Sequence, residues 1–431
     1  MIRTVLFILS LACLAIFSAG QVDAETYAYI PGSGDGNVTR INTEDEASSA
    51  VAFDDDPYGA AVSPKGDYLV VTRPSEDSVT IVRTDSFTSG SAQVQRPVGD
   101  DPRGVAIESQ GNYAYVANYG VDTVSVIYIP SFTVTETIQV GDGPWGVAAY
   151  YDEVDEMPKV YVSNYLDGTI SVITDDDVLT ITDVGEGPLG LALTPDGGYL
   201  YVALLDDDAV AIYETGEHTL VKTIDTEGGP WGVAVGSDGG YVYVTNSLDN
   251  SVTVVDAVSQ EFLEAYDVGL KPLGVACPKN GDFAYVLNQT DDSVSKIDIV
   301  GQTVALIDDL EISEAYGLGA FIGGEPPVAP SELSAVLEDD DTIDLSWTDN
   351  SSDELGFKIE RRPETGDRYV QITMVGAGVT TYSDGGLPDN TTYSYRVRAF
   401  TEAADSNYAS SSSVTTGESD FSWCFINSAA H

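Results

Sequence analysis

Seven residues stand at equivalent places along this 431-residue chain and could act together: Tyr58, Arg103, Trp145, Leu189, Trp231, Leu273 and Tyr316. The first six lie inside Pro-x-Gly triplets that begin at Pro57, Pro102, Pro144, Pro188, Pro230 and Pro272, at spacings of 45, 42, 44, 42 and 42 residues. A seventh copy, Tyr316-Gly317, lacks the proline and follows about 43 residues further on. Four of the seven are aromatic and one is arginine, the scarce charge in this chain. Aromatic faces beside a guanidinium can hold a sugar, a peptide or an anionic group. The plainer alternative is that these side chains only plug a channel mouth or pack between units, the prolines fixing the entry to each strand.

Conventional catalytic groups are sparse. The two histidines, His218 and His431, are too few for a histidine-rich metal centre or for histidine acid–base chemistry at a central site. A catalytic residue should interrupt the repeat, and Arg73 and Cys277 both do. Cys277 takes the inner-strand place that Val62 holds in its own unit, which reads as a small buried hydrophobe rather than a nucleophile. His218 falls in the turn between the third and fourth strands of its unit and reads as exposed. With 70 acids in the chain, no carboxylate pair for glycoside hydrolysis can be singled out. The sequence has no Cys-x-x-Cys-His and no glycine-rich phosphate loop. No catalytic residue and no cofactor are expected from this pattern.

The elements that must position the seven residues follow from one unit. Gly232–Val235 is a short strand of small apolar residues, and Ser237–Gly240 is a glycine turn. Tyr241–Asn246 and Ser251–Val255 alternate, and Glu261–Val268 completes the unit. Four antiparallel strands in about 42 residues predict a propeller blade, with small residues innermost and Tyr and Val between adjacent sheets. The ends complement each other. Tyr27–Ile30, Val38–Ile41 and Ser49–Phe53 supply three strands of a blade, and Tyr316–Ile322 supplies the missing inner one. Six whole blades plus this composite predict a closed seven-bladed ring without free edges at the seam, against the rival of an open solenoid, which would need capping units.

The second strands carry the phrase Tyr243-Val-Thr-Asn246, near-complete at Tyr115–Asn118, Tyr161–Asn164 and Tyr285–Asn288. Residues 26–323 thereby resemble the surface-layer-type propeller family. The resemblance implies a secreted or cell-surface propeller, often of unknown ligand. Some related propellers are lactonases or quinone- and metal-dependent oxidoreductases. Asn118, Asn164, Asn246 and Asn288 recur with the repeat and read as structural, each able to bond its own turn backbone. The expected function is a non-enzymatic binding or structural module that recognises glycan, peptide or cell-envelope material through one propeller face. The alternative is a propeller enzyme of lactonase or carbohydrate-active type, with a metal at the channel mouth.

Pro326–Pro330 interrupts the pattern, and 324–329 reads as a linker. Seven short strands in 330–416 predict a β-sandwich with Trp347 in its core. Leu387–Val397 resembles the fibronectin type III pattern, with Tyr393 as the tyrosine-corner residue. The fold class is therefore all-β, with the propeller spanning 25–323. Residues 1–24 read as a signal peptide: Arg3, an apolar run Val5–Phe17, and small residues before cleavage at Ala24. The tail 417–431 carries Cys424-Phe-Ile-Asn-Ser-Ala-Ala430, similar to a short C-terminal motif of exported bacterial proteins, open to a processing role or to simple packing.

The formal charge of −52 repels nucleic acid and anionic membranes and suits a salty medium. No integral membrane span is expected after signal removal, and the propeller is expected to be a monomer. Asp54–Asp56, Asp175–Asp177, Asp206–Asp208 and Asp339–Asp341 are candidates for weakly bound Ca2+, though none has the spacing of a helix–loop–helix calcium loop.

Overall fold

The computed structural model describes residues 26–417 apart from short internal stretches, the longest being 88–92, 279–282, 325–328, 365–368 and 401–405. The signal-peptide segment and the tail with Cys424 lie outside the described residues.

Residues 26–324 form seven four-stranded antiparallel sheets, a seven-bladed β-propeller. Blade 1 runs from Ala60–Val62 to Val94–Pro97, blade 2 from Pro102–Ile107 to Thr133–Gln139, and blade 3 from Pro144–Asp152 to Val178–Ile181. Blade 4 runs from Pro188–Leu193 to Thr219–Asp225, blade 5 from Pro230–Val235 to Glu261–Asp267, and blade 6 from Pro272–Ala276 to Thr303–Ile307. The closing blade joins Ile322–Gly324 to Thr26–Gly32, Asn37–Asn42 and Ser48–Ala52.

Each second strand is buried on both faces, because a neighbouring blade covers each one. Val242, Tyr243 and Val244 are fully buried. The tyrosines also stitch blades together: Tyr161 donates to the Thr215 carbonyl, Tyr201 to Ala257 and Tyr285 to Thr43, each in the following blade.

The inner strands crowd so closely that glycine is required in Pro-x-Gly. A Cβ on Gly104, Gly146, Gly190 or Gly232 would collide with the carbonyl oxygen of Trp145, Leu189, Trp231 or Leu273, the x residue of the next blade. The third residue of Tyr-Val-Thr-Asn bridges the same junction. Thr245 Oγ1 accepts from Gly232 N–H at 2.8 Å and donates to the Leu273 carbonyl at 2.7 Å. Thr72 and Ser163 make the equivalent bonds to Arg103 and Leu189.

The seam differs from the sequence expectation. The inner strand of the closing blade is Ile322–Gly324, paired with Thr26–Ala28, rather than Tyr316–Ile322. Ala315 bridges Gly32, as Pro230 pairs with Asn246 in blade 5, but Ile322 comes seven residues later, where its counterpart Val235 comes after five. This excursion carries Gly317 (φ +55°) and Gly319 (φ +123°) toward the axis, so a Cβ on Gly319 would lie 2.5 Å from the Ala60 carbonyl and 2.6 Å from that of Val105. Gly324, expected to open the linker, pairs with Thr26 in the closing blade.

Residues 331–415 form a sandwich of two sheets. One holds Ser331–Asp339, Thr342–Thr348 and Thr381–Asp384; the other holds Gly356–Pro363, Val370–Gly376, Thr392–Phe400, Ala409–Ser410 and Val414–Thr415. Trp347, Phe357, Ile359, Tyr395 and Val397 fill the core. Tyr393 is buried with the Arg361 guanidinium over its ring. The Tyr395 hydroxyl donates to the Asp384 side chain at 2.7 Å, while Arg361 grips the same carboxylate at 2.8 Å. Tyr393, the expected corner residue, stands buried at the start of the strand Thr392–Phe400.

Candidate functional site

The Pro-x-Gly residues enter the inner strands at a bulge. In blade 5 the register jumps from Pro230↔Asn246 to Val233↔Val244, so Trp231 and Gly232 sit between regular pairs. The same jump recurs at Pro102, Pro144, Pro188 and Pro272. The bulge turns the x side chains together at one mouth of the channel.

There they pack on each other. Tyr58 stacks on Tyr316 at 4.4 Å between ring centres and meets Trp145 edge-on at 6.3 Å. Trp145 meets Trp231 edge-on at 5.8 Å. The Arg103 guanidinium lies 4.7 Å from the Tyr58 ring centre and 5.2 Å from that of Trp145, and it pairs with Asp101 at 2.8 Å. Tyr58, Leu189 and Leu273 are buried, whereas Arg103, Trp145, Trp231 and Tyr316 keep part of their surface in solvent. The seven therefore both close the mouth and present a face.

The electrostatics follow from burial. Burial pushes the Tyr58 hydroxyl well above the ordinary range against the pull of Arg103, so it remains a neutral donor. Burial is the largest single influence on Arg103 and works against its charge, but Asp101 and Tyr58 together outweigh it and raise its pKa. Arg103 Nε and the indole N–H groups of Trp145 and Trp231 are enclosed without an acceptor oxygen.

Two further residues belong to this face. Tyr119 meets Trp145 edge-on at 5.4 Å and lies 5.7 Å from the Arg103 guanidinium, and Tyr165 lies 6.0 Å from Trp145. Each directly follows the asparagine of its Tyr-Val-x-Asn phrase, where other blades have Pro74, Leu205, Ser247 and Gln289. That departure from the repeat was a legible signal that sequence reasoning passed over.

The four asparagines are placed differently from the sequence expectation. Their amides reach across to hydroxyls on the third strand rather than to their own turn backbone. Asn118 donates to Thr123 and Ser125, Asn164 to Thr169 and Ser171, Asn246 to Ser251 and Thr253, and Asn288 to Ser293 and Ser295, all at 2.9–3.0 Å. Hydroxyls offer buried acceptors where the strand ladder leaves no backbone group free.

The aspartates around this mouth also have partners. Asp207 Oδ2 accepts from Glu186 N–H and Asp208 Oδ1 from Gly229 N–H, both at 2.8 Å. Asp122 and Asp167 do the same in blades 2 and 3. Two carboxylates of the Asp206–Asp208 run thus hold loops together. The other three acidic runs lie partly outside the described residues. Among the described residues, no three His, Cys, Asp or Glu side chains are grouped to hold a metal ion, and no helix is long and apolar enough to cross a membrane.

Beneath the aromatic face the axis opens into a cavity of about 260 Å³. Its lining residues are all Gly, Ala, Val, Leu or Ile, with Cys277 as the one exception. Cys277 is half-buried at the end of the blade 6 inner strand, away from the aromatic mouth. Arg73 is buried at the end of its second strand. His218 is half-buried rather than exposed, its ring edge-on to Tyr161.

Residues 56–256 match the family model "Lactonase, 7-bladed beta-propeller". Residues 328–416 match the fibronectin type III domain model. No curated protein matches the chain in sequence. Among solved structures, a functionally unknown protein from Desulfotomaculum acetoxidans is 16% identical with a TM-score of 0.57, over 68% of this chain and 99% of its own. The periplasmic gluconolactonase of Pseudomonas aeruginosa is 20% identical with a TM-score of 0.56, over 68% of this chain and 98% of its own. A catalytically inactive virginiamycin B lyase from Staphylococcus aureus is 12% identical with a TM-score of 0.53, over 76% of this chain and 96% of its own. Identity this low speaks for the fold alone.

Proposed function

We propose that this chain is an exported, non-enzymatic binding module of the surface-layer type, which engages a glycan, a peptide or cell-envelope material through the aromatic mouth of its propeller. The observation that carries this reading is the half-exposed cluster of Tyr119, Tyr165 and Trp231 around Trp145, with Arg103 beside Tyr119 and Trp145. Rings locked by mutual contact lose little freedom on binding and offer large flat surfaces. The apolar lining of the channel below offers Cys277 as its single reactive side chain.

Binding of the full chain to glycan and peptide arrays tests the reading, with the double variant Trp145→Ala, Trp231→Ala alongside. A hit that the double variant loses supports it. A hit that the double variant keeps, or arrays without a hit, overturns it.

The lactonase-family match favours a second reading, a propeller hydrolase acting on a lactone. The described residues supply no metal-ligand group at the mouth, so no metal-dependent step is derived. Turnover of gluconolactone by the purified chain above a heat-denatured control would replace the first reading with the second.

A further inference from the structure

We propose that the ligand of the aromatic mouth is an oligosaccharide of protonated amino sugars, which continues from the aromatic rings into a groove between blades 3 and 4. The inference rests on the binding role of the mouth proposed above and names the class of its ligand.

Three observations meet here. First, the groove joins the aromatic face. It has a volume of about 760 Å³ and is formed by the turn 165–169 of blade 3, the connection 182–187 and Asp206 of blade 4. Tyr165 belongs to both places, for its ring also lies 6.0 Å from that of Trp145. A ligand stacked on these two rings therefore stands at the entrance of the groove.

Second, the charge of the groove has one sign. Asp167, Asp183, Glu186 and Asp206 line it, and among the described residues no Lys, Arg or His does. All four acids are exposed. Such a wall repels an anion and draws in an ammonium group, which it holds by charge-assisted hydrogen bonds. The neighbouring ring faces attract the same cation.

Third, the backbone donors of the groove are largely spent. The N–H groups of Tyr165, Leu166 and Gly168 donate to the carbonyls of Gly143, Asp142 and Asn164, and that of Asp206 to the Glu186 carbonyl. The Glu186 N–H donates to the Asp207 carboxylate at 2.8 Å, and the Thr169 hydroxyl to Asp167 at 2.6 Å. Acceptors dominate what is left, so the ligand must be rich in donors. A peptide brings a carbonyl acceptor for every N–H. An amino sugar brings hydroxyls, each able to donate, and an ammonium group that only donates.

Calorimetry on the full chain compares the glucosamine hexamer with its fully N-acetylated counterpart, in mildly acidic buffer that keeps the amines protonated. Salt of about 0.15 M screens long-range attraction to the acidic surface. We expect one glucosamine hexamer per chain, and N-acetylation, which removes the charge, should weaken binding by about tenfold or more. Glu186→Gln combined with Asp206→Asn, both at exposed side chains, should weaken the glucosamine hexamer by about tenfold. The amino-sugar assignment is overturned by equal affinity of the acetylated hexamer, by full affinity in the folded groove variant, or by a lysine hexapeptide that binds as tightly. In those cases the mouth itself stands if Trp145→Ala, Trp231→Ala still abolishes binding. Glucosamine-hexamer binding that survives the tryptophan variant overturns both readings. No binding of that hexamer overturns the inference alone and leaves the mouth to its array test.

Discussion

The two mouths of the propeller channel are built from opposite ends of the same strands, yet they differ in nearly every chemical respect. In the strand Pro230–Val235, Trp231 belongs to an aromatic cluster with a guanidinium, while Val235 stands in a ring of small aliphatic residues. The two residues stand only four positions apart on one strand. The difference begins with the bulge at Pro-x-Gly. It brings the large side chain before the glycine to the mouth at the crowded start of each strand, and regular pairing follows it. The repeat thus dictates where a side chain points, and departures from the repeat dictate what it can do.

The strongest way to break this comparison is to fill the crowded end. Gly232→Val would drive a side chain into the Leu273 carbonyl, and we expect a loss of ~3 kcal/mol or more in urea unfolding. Val235→Ala, at the other end of the strand, should cost only about 1 kcal/mol, because Val235 is half-buried. Equal losses would show that both ends are packed alike.

A smaller effect is expected from the hydroxyl that joins blades 5 and 6. Thr245→Val keeps the shape but leaves the Gly232 N–H and the Leu273 carbonyl without their bridge, at a cost of about 1–3 kcal/mol. Ala117 and Ala203 occupy this place in their own blades and carry no hydroxyl to bridge with.

The smallest effect lies away from both mouths and depends on pH. Burial, helped by Lys159, holds the His218 imidazole below its ordinary 6.5. The unfolded chain therefore binds this proton more readily, and its contribution to stability is complete above that pH and falls as pH drops through it. His218→Gln should flatten that part of the stability profile; an unaltered profile would exclude His218 as its source.

Much of this architecture was legible in the sequence. The Pro-x-Gly spacing and the complementary end fragments point to seven blades and a stitched closing one, because each blade must repeat its own strand pattern to pack on identical neighbours. Contact among Tyr58, Arg103, Trp145, Trp231 and Tyr316 follows from the same repeat. The exact seam was not. The two extra residues before Ile322 carry no hydrophobic signal, and only pairing with Thr26–Ala28 reveals them. The asparagine amides were misplaced because a side-chain bond to a local turn and one to a hydroxyl across the sheet leave the same trace in sequence. Tyr119 and Tyr165 were not legible from the repeat because their place holds Pro74, Leu205, Ser247 or Gln289 in other blades, so no common residue type marks it as facing the mouth.

The central claim is that recognition resides at the aromatic mouth. It is tested most directly by calorimetric titration of an array-positive ligand into the wild-type chain, the Trp145→Ala, Trp231→Ala variant and Val235→Asp. The account predicts at least a hundredfold weaker binding for the tryptophan variant and wild-type affinity for Val235→Asp. Wild-type affinity in the tryptophan variant, with both proteins folded, would contradict it.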